Sequence, residues 1–448
     1  MLAKEKRTNQ TSLFLTLEDM LDQRHPLYIL ANKVNWQEFE DAFKTLYCED
    51  NGRPAKPIRL MVGLLILKHI RNISDESVVE QWSENNYYQY FSGEKVFLPC
   101  VPCEASELVH FRHRIGESGI ELILKESIRI NGKDSHDENA SIDTTVQEKN
   151  ITFPTDNKLH RKIISKCKKI AETEDLPIRQ SYTRTLKKLG VDQRFRNHPK
   201  NKWKARKADR KVKTIAGRLV RELERNLLPN STYQSDIDLF KRILSQKKSD
   251  NNKIYSVHEP DVQCISKGKE HKKYEFGNKV SIIYTQTTGV IIGALGFRNP
   301  YDGHTIESSL EQTERLLGKR TIKTLIGDRG YKGPRKVNDT NIEIPKPFSD
   351  KRQSKYQQNK LKKKFKRRAA IEPINGHLKT DHRLGRNFYK GMQGDNINVM
   401  LAAAAYNFKR MMNKWKSSFL TLLRNLIWWC KSLVQTQNIL NIKLKMSF

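Results

Sequence analysis

A chain of 448 residues can bury more than one core, and 37% hydrophobic content with seventeen Phe, fifteen Tyr and six Trp excludes a disordered polymer. A formal charge of +33 excludes a merely solvated surface of balanced sign and points to a polyanionic partner, nucleic acid ahead of an anionic membrane. The charge is uneven: residues 1–138 carry 17 basic and 22 acidic side chains, whereas residues 155–253 carry 28 and 11. MLAKEKRTNQ leads into polar sequence, unlike a secretory leader. FLTLLRNLIWWC at 419–430 is interrupted by Arg424 and too short for a bilayer. A cytoplasmic, nucleoid-associated protein without membrane contact is expected.

From about 12 to 130 the periodicity is helical. WQEFEDAFKTLY (36–47) sets Trp36, Phe39, Phe43 and Leu46 on one stripe, and KPIRLMVGLLILKHI (56–70) reads as a more buried helix ended by the Asn72–Ser74 break. SDESVVEQWSENNYYQYF (74–91) opens on a Ser or Asp cap with acids in its first turn. Two further helices are predicted near 106–115, capped by Ser106, and 117–130. These make an all-helical N-terminal domain over 1–135, for recognition of DNA ends or dimerisation. Cys100, Cys103, His110 and His113 have a spacing that zinc could use, but the loop is short for a finger. The cysteines are read as small hydrophobes and the histidines as helix-face residues. All six cysteines are scattered, as fits reduced thiols.

ASIDTTVQEKNITFP (140–154) switches to extended patterning. A basic helical insertion follows at about 156–250, with Lys202, Lys204 and Arg206 around Trp203 in NHPKNKWKARKADRKVK. A lone Trp there either packs a core or stacks on a base, and core packing is the expectation. Strands resume in IYSVHEPDVQCIS, KYEFGNKVSIIYT and GVIIGALGF. TIESSLEQTERLL (305–317) is a helix capped by Thr305, TIKTLIGDRGY a short strand reaching Asp328, and IEIPKP (342–347) another strand. The order describes a mixed α/β core over 136–410 with an inserted helical unit. A basic amphipathic helical tail is expected over 411–448.

Between Lys351 and Lys390 lie fourteen Lys or Arg but only two acids, Glu372 and Asp381. A lone carboxylate among cations is either a strut to a neighbouring Arg or a ligand for a divalent ion beside a bound polyanion. Asp143 in an apolar strand and Asp328 where a strand meets a glycine turn supply further acids, although Asp328 alone would also suit an Asx turn. Three carboxylates at one point repel unless hard cations occupy the gap, and oxygen ligands suit Mg²⁺ or Mn²⁺. A pair of such ions can activate an attacking oxygen and stabilise a leaving one in phosphodiester displacement.

Asp143 in SIDTTV, Asp328 in IGDRGYKG and Glu372 in RRAAIEPINGHLK resemble the three acids of bacterial insertion-sequence transposases of the DDE type. The similar subgroup carries a Tyr-x2-Arg-x3-Glu-x6-Lys signature. Arg368, Glu372 and Lys379 match its last three positions, and Phe365 stands where Tyr is expected. YEFGNKVSI and NPYDGHT also look like family blocks. The resemblance covers about 12–410 and implies a ribonuclease H-like catalytic core. It further implies Asp143, Asp328 and Glu372 as catalytic ligands of two Mg²⁺ or Mn²⁺ ions. Cleavage at element ends and joining of the 3′ hydroxyl to target DNA would follow. Arg367, Arg368, Lys379 and Lys279 would contact DNA, as would Lys202, Lys204 and Arg206 of the insertion. The partners implied are double-stranded DNA, at terminal inverted repeats and target, and a second copy in a homodimer or larger assembly. The rival readings are a nuclease without strand transfer and a non-catalytic DNA-binding protein. Pro373 is accommodated if a helix starts or kinks at 372–373. The acidic N-terminal domain would have to read sequence through a local patch such as Arg112, His113 and Arg114.

Overall fold

A computed structural model describes residues 16–417 apart from 49–51, 229–230, 248, 267–271, 319–321, 334 and 346–353. The tail expected from 411 lies outside the described residues beyond position 417. The chain divides into two compact units, one of residues 1–147, 279–389 and 393–448, the other of residues 148–278 and 390–392.

The first unit begins with helices α1 (Leu17–Met20), α2 (Pro26–Lys33), α3 (Trp36–Lys44), α4 (Ile58–Arg71), α5 (Asp75–Glu84), α6 (Asn86–Phe91) and α7 (Ala105–Asn131). Local chemistry sets their ends. Pro26 opens α2, where its missing N–H costs nothing. Asn72, in the left-handed conformation at φ 57°, closes α4, and the Ser74 hydroxyl then accepts from the Ser77 N–H to start α5. Gly116, at φ 61° and ψ −163°, kinks α7 between the two segments that the periodicity separates. Glu104, not Ser106, occupies its cap, reciprocating with Glu107.

Then come β1 (Asn139–Lys149) and, after the second unit, the C-terminal half of the strand numbered β3 (Tyr274–Thr285). The short strand β2 (Gln263–Ser266) precedes it in sequence. Next are β4 (Ile291–Phe297), helix α12 (Ile306–Leu317), β5 (Thr324–Ile326), β6 (Lys336–Val337) and β7 (Thr340–Glu343). Helices α13 (Lys355–Arg368) and α14 (Ile371–Asp381), strand β8 (Arg386–Asn387) and helix α15 (391–417) complete it. The strands run β3-β1-β5-β7-β6, with β4 paired to β3 and β8 to β1. β1, β5 and β7 are mutually parallel, and β3–β4 is an antiparallel hairpin. Helix α12 packs on β4, and one apolar core is shared by the N-terminal helices, the sheet and α15. This is the mixed α/β class the residue pattern predicts.

Helices α8 (Asp156–Thr173), α9 (Thr183–Asp192), α10 (Lys202–Asn226) and α11 (Gln234–Ser245) form the second unit around Ile163, Cys167, Leu219 and Phe240. Of the extended run IYSVHEPDVQCIS only β2 is a strand, paired antiparallel to the N-terminal half of β3. Ile254 and Val257 fill this core from non-strand backbone instead.

Candidate active site

The register between β1 and β5 joins Asn139 to Thr324, Ala140 to Leu325 and Ser141 to Ile326. Asp143 and Asp328 each lie two residues beyond the last of these pairs, Asp143 on β1 and Asp328 in the turn after β5. Asp143 thus sits within β1 and Asp328 just past the carboxyl end of β5, the end at which open α/β sheets bind ligands. Both are partly buried.

The turn is held by Asp328 itself, whose Oδ1 accepts from the Gly330 N–H at 2.7 Å. A Cβ on Gly330 would lie 2.8 Å from Asp328 Oδ1 and 3.2 Å from Asp302 Oδ2, so the two carboxylates flank one small residue. The phenol of Tyr331, fully buried, is raised well above its ordinary pKa, first by burial and then by the charges of Asp143, Asp302 and Asp328. The three negative charges thus all act on one buried phenol.

Glu372 stands exposed in the first turn of α14. One turn on, on the same face, Asn375 Nδ2 donates to Asp143 Oδ2 at 3.1 Å. Arg368 Nη1 lies 3.8 Å from Asp143 Oδ1, and its carbonyl accepts from the Tyr284 hydroxyl at 2.9 Å, tying the end of α13 to β3. The strut considered for Arg368 therefore runs to Asp143 and not to Glu372. The break between α13 and α14 falls at Ala369–Ala370, two residues before the expected point, which leaves Pro373 in a first turn where its ring is tolerated. Arg367 is exposed in the last turn of α13, and Lys379 is partly buried in the last turn of α14.

Lys279 takes a different place from a DNA-facing cation. Its side chain is only 13% exposed, with Nζ 2.9 Å from Asp302 Oδ1 and 2.6 Å from the Pro300 carbonyl. Thr144 donates to the same Asp302 oxygen at 3.0 Å. Asp302 is thereby fixed beside Asp328. His304 is exposed and packs edge-on against Tyr301. Replacing Lys279 with Met is expected to leave Asp302 half-buried without its cation and to cost about 1–3 kcal/mol of stability. Urea melts of the K279M and K279M/D302N variants check this, the double change restoring much of the loss.

Asp302, Thr144, Asn375 and Tyr331 are site residues that sequence reasoning passed over. Asp302 sits inside the quoted NPYDGHT block, and Asn375 is three residues from Glu372; those positions were the available signals.

The four residues with the zinc-like spacing differ in burial. Cys103 is buried, its thiol pushed up to about 12 by burial, while Cys100, His110 and His113 are exposed. Cys100 thus departs from the small-hydrophobe expectation. Arg112 of the patch considered for DNA reading is buried and holds Asp75 through two bonds of 2.8 and 2.9 Å.

Among the described residues no group of three or more His, Cys, Asp or Glu forms a metal-holding cluster. The donor set nevertheless fits a hard divalent ion. Asp143 and Asp328 follow the last pair of two adjacent parallel strands by two residues each, and Asn375 Oδ1 beside Asp143 is buried without a hydrogen-bond partner. Mg²⁺ needs only one or two protein carboxylates when water and substrate phosphate supply the rest.

Residues 15–114 match the family described as Transposase domain (DUF772), and residues 253–408 match Transposase DDE domain. The chain is also 39% identical over 187 residues to the Rhizobium meliloti "Uncharacterized protein ORF8 in nfe locus", covering 41% of this chain and 90% of that relative. No solved structure matches. The chain thus carries two transposase domains, the second of the DDE type, which indicates an enzyme of phosphoryl transfer that binds DNA. Asp328 and Glu372 lie in the matched DDE region; Asp143 lies between the two matched regions. No described helix is long and apolar enough to cross a membrane.

Proposed function

We propose that the protein cuts DNA at the ends of its own element and joins the exposed 3′ hydroxyls to target DNA, using Asp143, Asp328 and Glu372 on a ribonuclease H-like core. What supports this reading is the placement of Asp143 and Asp328 two residues past the last β1–β5 pair, with Asn375 of the Glu372 helix bonded to Asp143. These carboxylates would hold Mg²⁺ or Mn²⁺, in a pair, supplying Lewis-acid stabilisation of the attacking and leaving oxygens. Asn375 and Arg368 orient Asp143 while the acid awaits substrate. Arg367, Arg368 and Lys379 are assigned to phosphate near the scissile bond, in keeping with the Tyr-Arg-Glu-Lys subgroup; Phe365 supplies no hydroxyl at the first position. Lys279 is reassigned to positioning Asp302.

In the first step water attacks phosphorus, the 3′ oxygen leaves, and it is protonated to a hydroxyl. In the second that hydroxyl attacks a target phosphodiester and the target's own 3′ oxygen leaves. Two ends handled together call for a homodimer or larger assembly.

Precut element ends and a supercoiled target provide the test. Joined products in Mg²⁺ are expected; hydrolysis without joining would instead establish a nuclease, and neither product with tight binding a non-catalytic DNA-binding protein.

A further inference from the structure

The second unit carries an exposed indole where a core residue was expected. Trp203 is 66% exposed near the start of α10. The helix turns Ala205, Ala208, Val212, Ile215, Ala216 and Leu219 into the core of that unit. Trp203 lies on the other side, with Arg206, Lys207 and Arg210 at helical intervals of three, four and seven residues. With Pro199 and Lys202 these residues line an open pocket of about 520 Å³.

Its cations differ from their neighbours. Lys204 points to Asp192, 3.2 Å away, and Arg196 is paired with Asp209. Lys202, Arg206, Lys207 and Arg210 are exposed and have no acidic partner among the described residues. A second aromatic, Phe195, stands 79% exposed between Arg194 and Arg196 in the segment leading to α10. An exposed indole beside unpaired cations presents an aromatic face and positive charge together. It matches a ligand that presents an aromatic face and a phosphate together.

We propose that this pocket binds an unpaired nucleotide of a DNA strand, its base stacked on Trp203 and its phosphate held by Arg206, Lys207 and Arg210. Paired bases inside a duplex hide their faces, so the indole distinguishes single-stranded from double-stranded DNA; the cations alone do not. The site lies outside both family-matched regions and deepens the proposed transposition reading by naming the strand form this unit grips. Lys204, committed to Asp192, is not part of it.

The full-length chain is titrated with fluorescein-labelled dT20 and with a fully paired 20-mer duplex, at fixed salt. Trp203→Ala is expected to weaken dT20 binding roughly tenfold, within the range of one lost base stack, and duplex binding less than twofold. Trp203→Phe should recover most of the dT20 affinity, which a mere folding defect in the Ala variant would not explain. Arg206→Gln with Arg210→Gln should weaken both probes and flatten the salt dependence. Unchanged dT20 affinity in Trp203→Ala, equal loss on both probes, or no recovery by Phe overturns the proposal. The dT20 readout is equilibrium binding and requires no cleavage, so this result stands or falls separately from the assigned chemistry.

Discussion

Replacing Asp143 or Asp328 with Asn should lower the rate of element-end cleavage by about a thousandfold or more, with duplex affinity changed less than threefold. The reasoning is geometric. Asp143 and Asp328 lie two residues past the last pair of adjacent parallel strands, and each is already oriented, one by Asn375 and the other by the Gly330 N–H. Asn keeps the shape and much of the hydrogen bonding but removes the charge that a hard cation requires. Glu372→Gln should show the same separation of cleavage from binding. Gel assays of cleavage beside anisotropy with uncut ends make the comparison; variants that retain cleavage would remove these residues from the chemistry.

A second large effect is expected at Asp75, outside the candidate site. Its carboxylate lies 2.8 Å from Lys68 Nζ and is gripped by both arms of Arg112, and all three side chains are largely buried. Lys68 also reaches the Tyr389 hydroxyl at 2.9 Å, while the Arg112 guanidinium lies 4.3 Å from that ring. The cluster therefore joins α4, α5 and α7 to the segment after α14. Asp75→Ala strands two buried cations side by side and should cost about 3–5 kcal/mol, enough to threaten folding at 37 °C. Chemical denaturation measures it.

Burial also pushes the Lys68 ammonium down to about 8, opposed by the Asp75 charge. A folded pKa below the unfolded one means that the unfolded chain binds more protons between pH 8 and about 10.4, so this group's contribution to stability rises with pH across that window. Lys68→Met should remove that part of the slope.

The helices and most strands were legible because their periodicities are local and their caps are chemically explicit, as at Asn72, Ser74 and Pro26. Asp143 and Asp328 were legible as acids ending apolar runs. Their register was not, since it depends on pairing β1 with a strand nearly two hundred residues away. Lys279 illustrates the limit. On its own strand it looks like a surface cation, and only the NPYDGHT turn brings Asp302 under it. Arg112 misleads for the same reason: its counterion sits on another helix. Trp203 reverses the lesson. The alanines beside it, at 205 and 208, already satisfy the close packing of α10, leaving the indole no inward position.

Manganese binding tests the central claim most directly. Crystals of the chain with an uncut element end, soaked in Mn²⁺, should give anomalous density between Asp143 and Asp328, with Glu372 drawn toward it, and the density should vanish in Asp328→Asn. Ordered DNA with no anomalous peak at that edge of the sheet, or a peak held by other residues, would contradict the account.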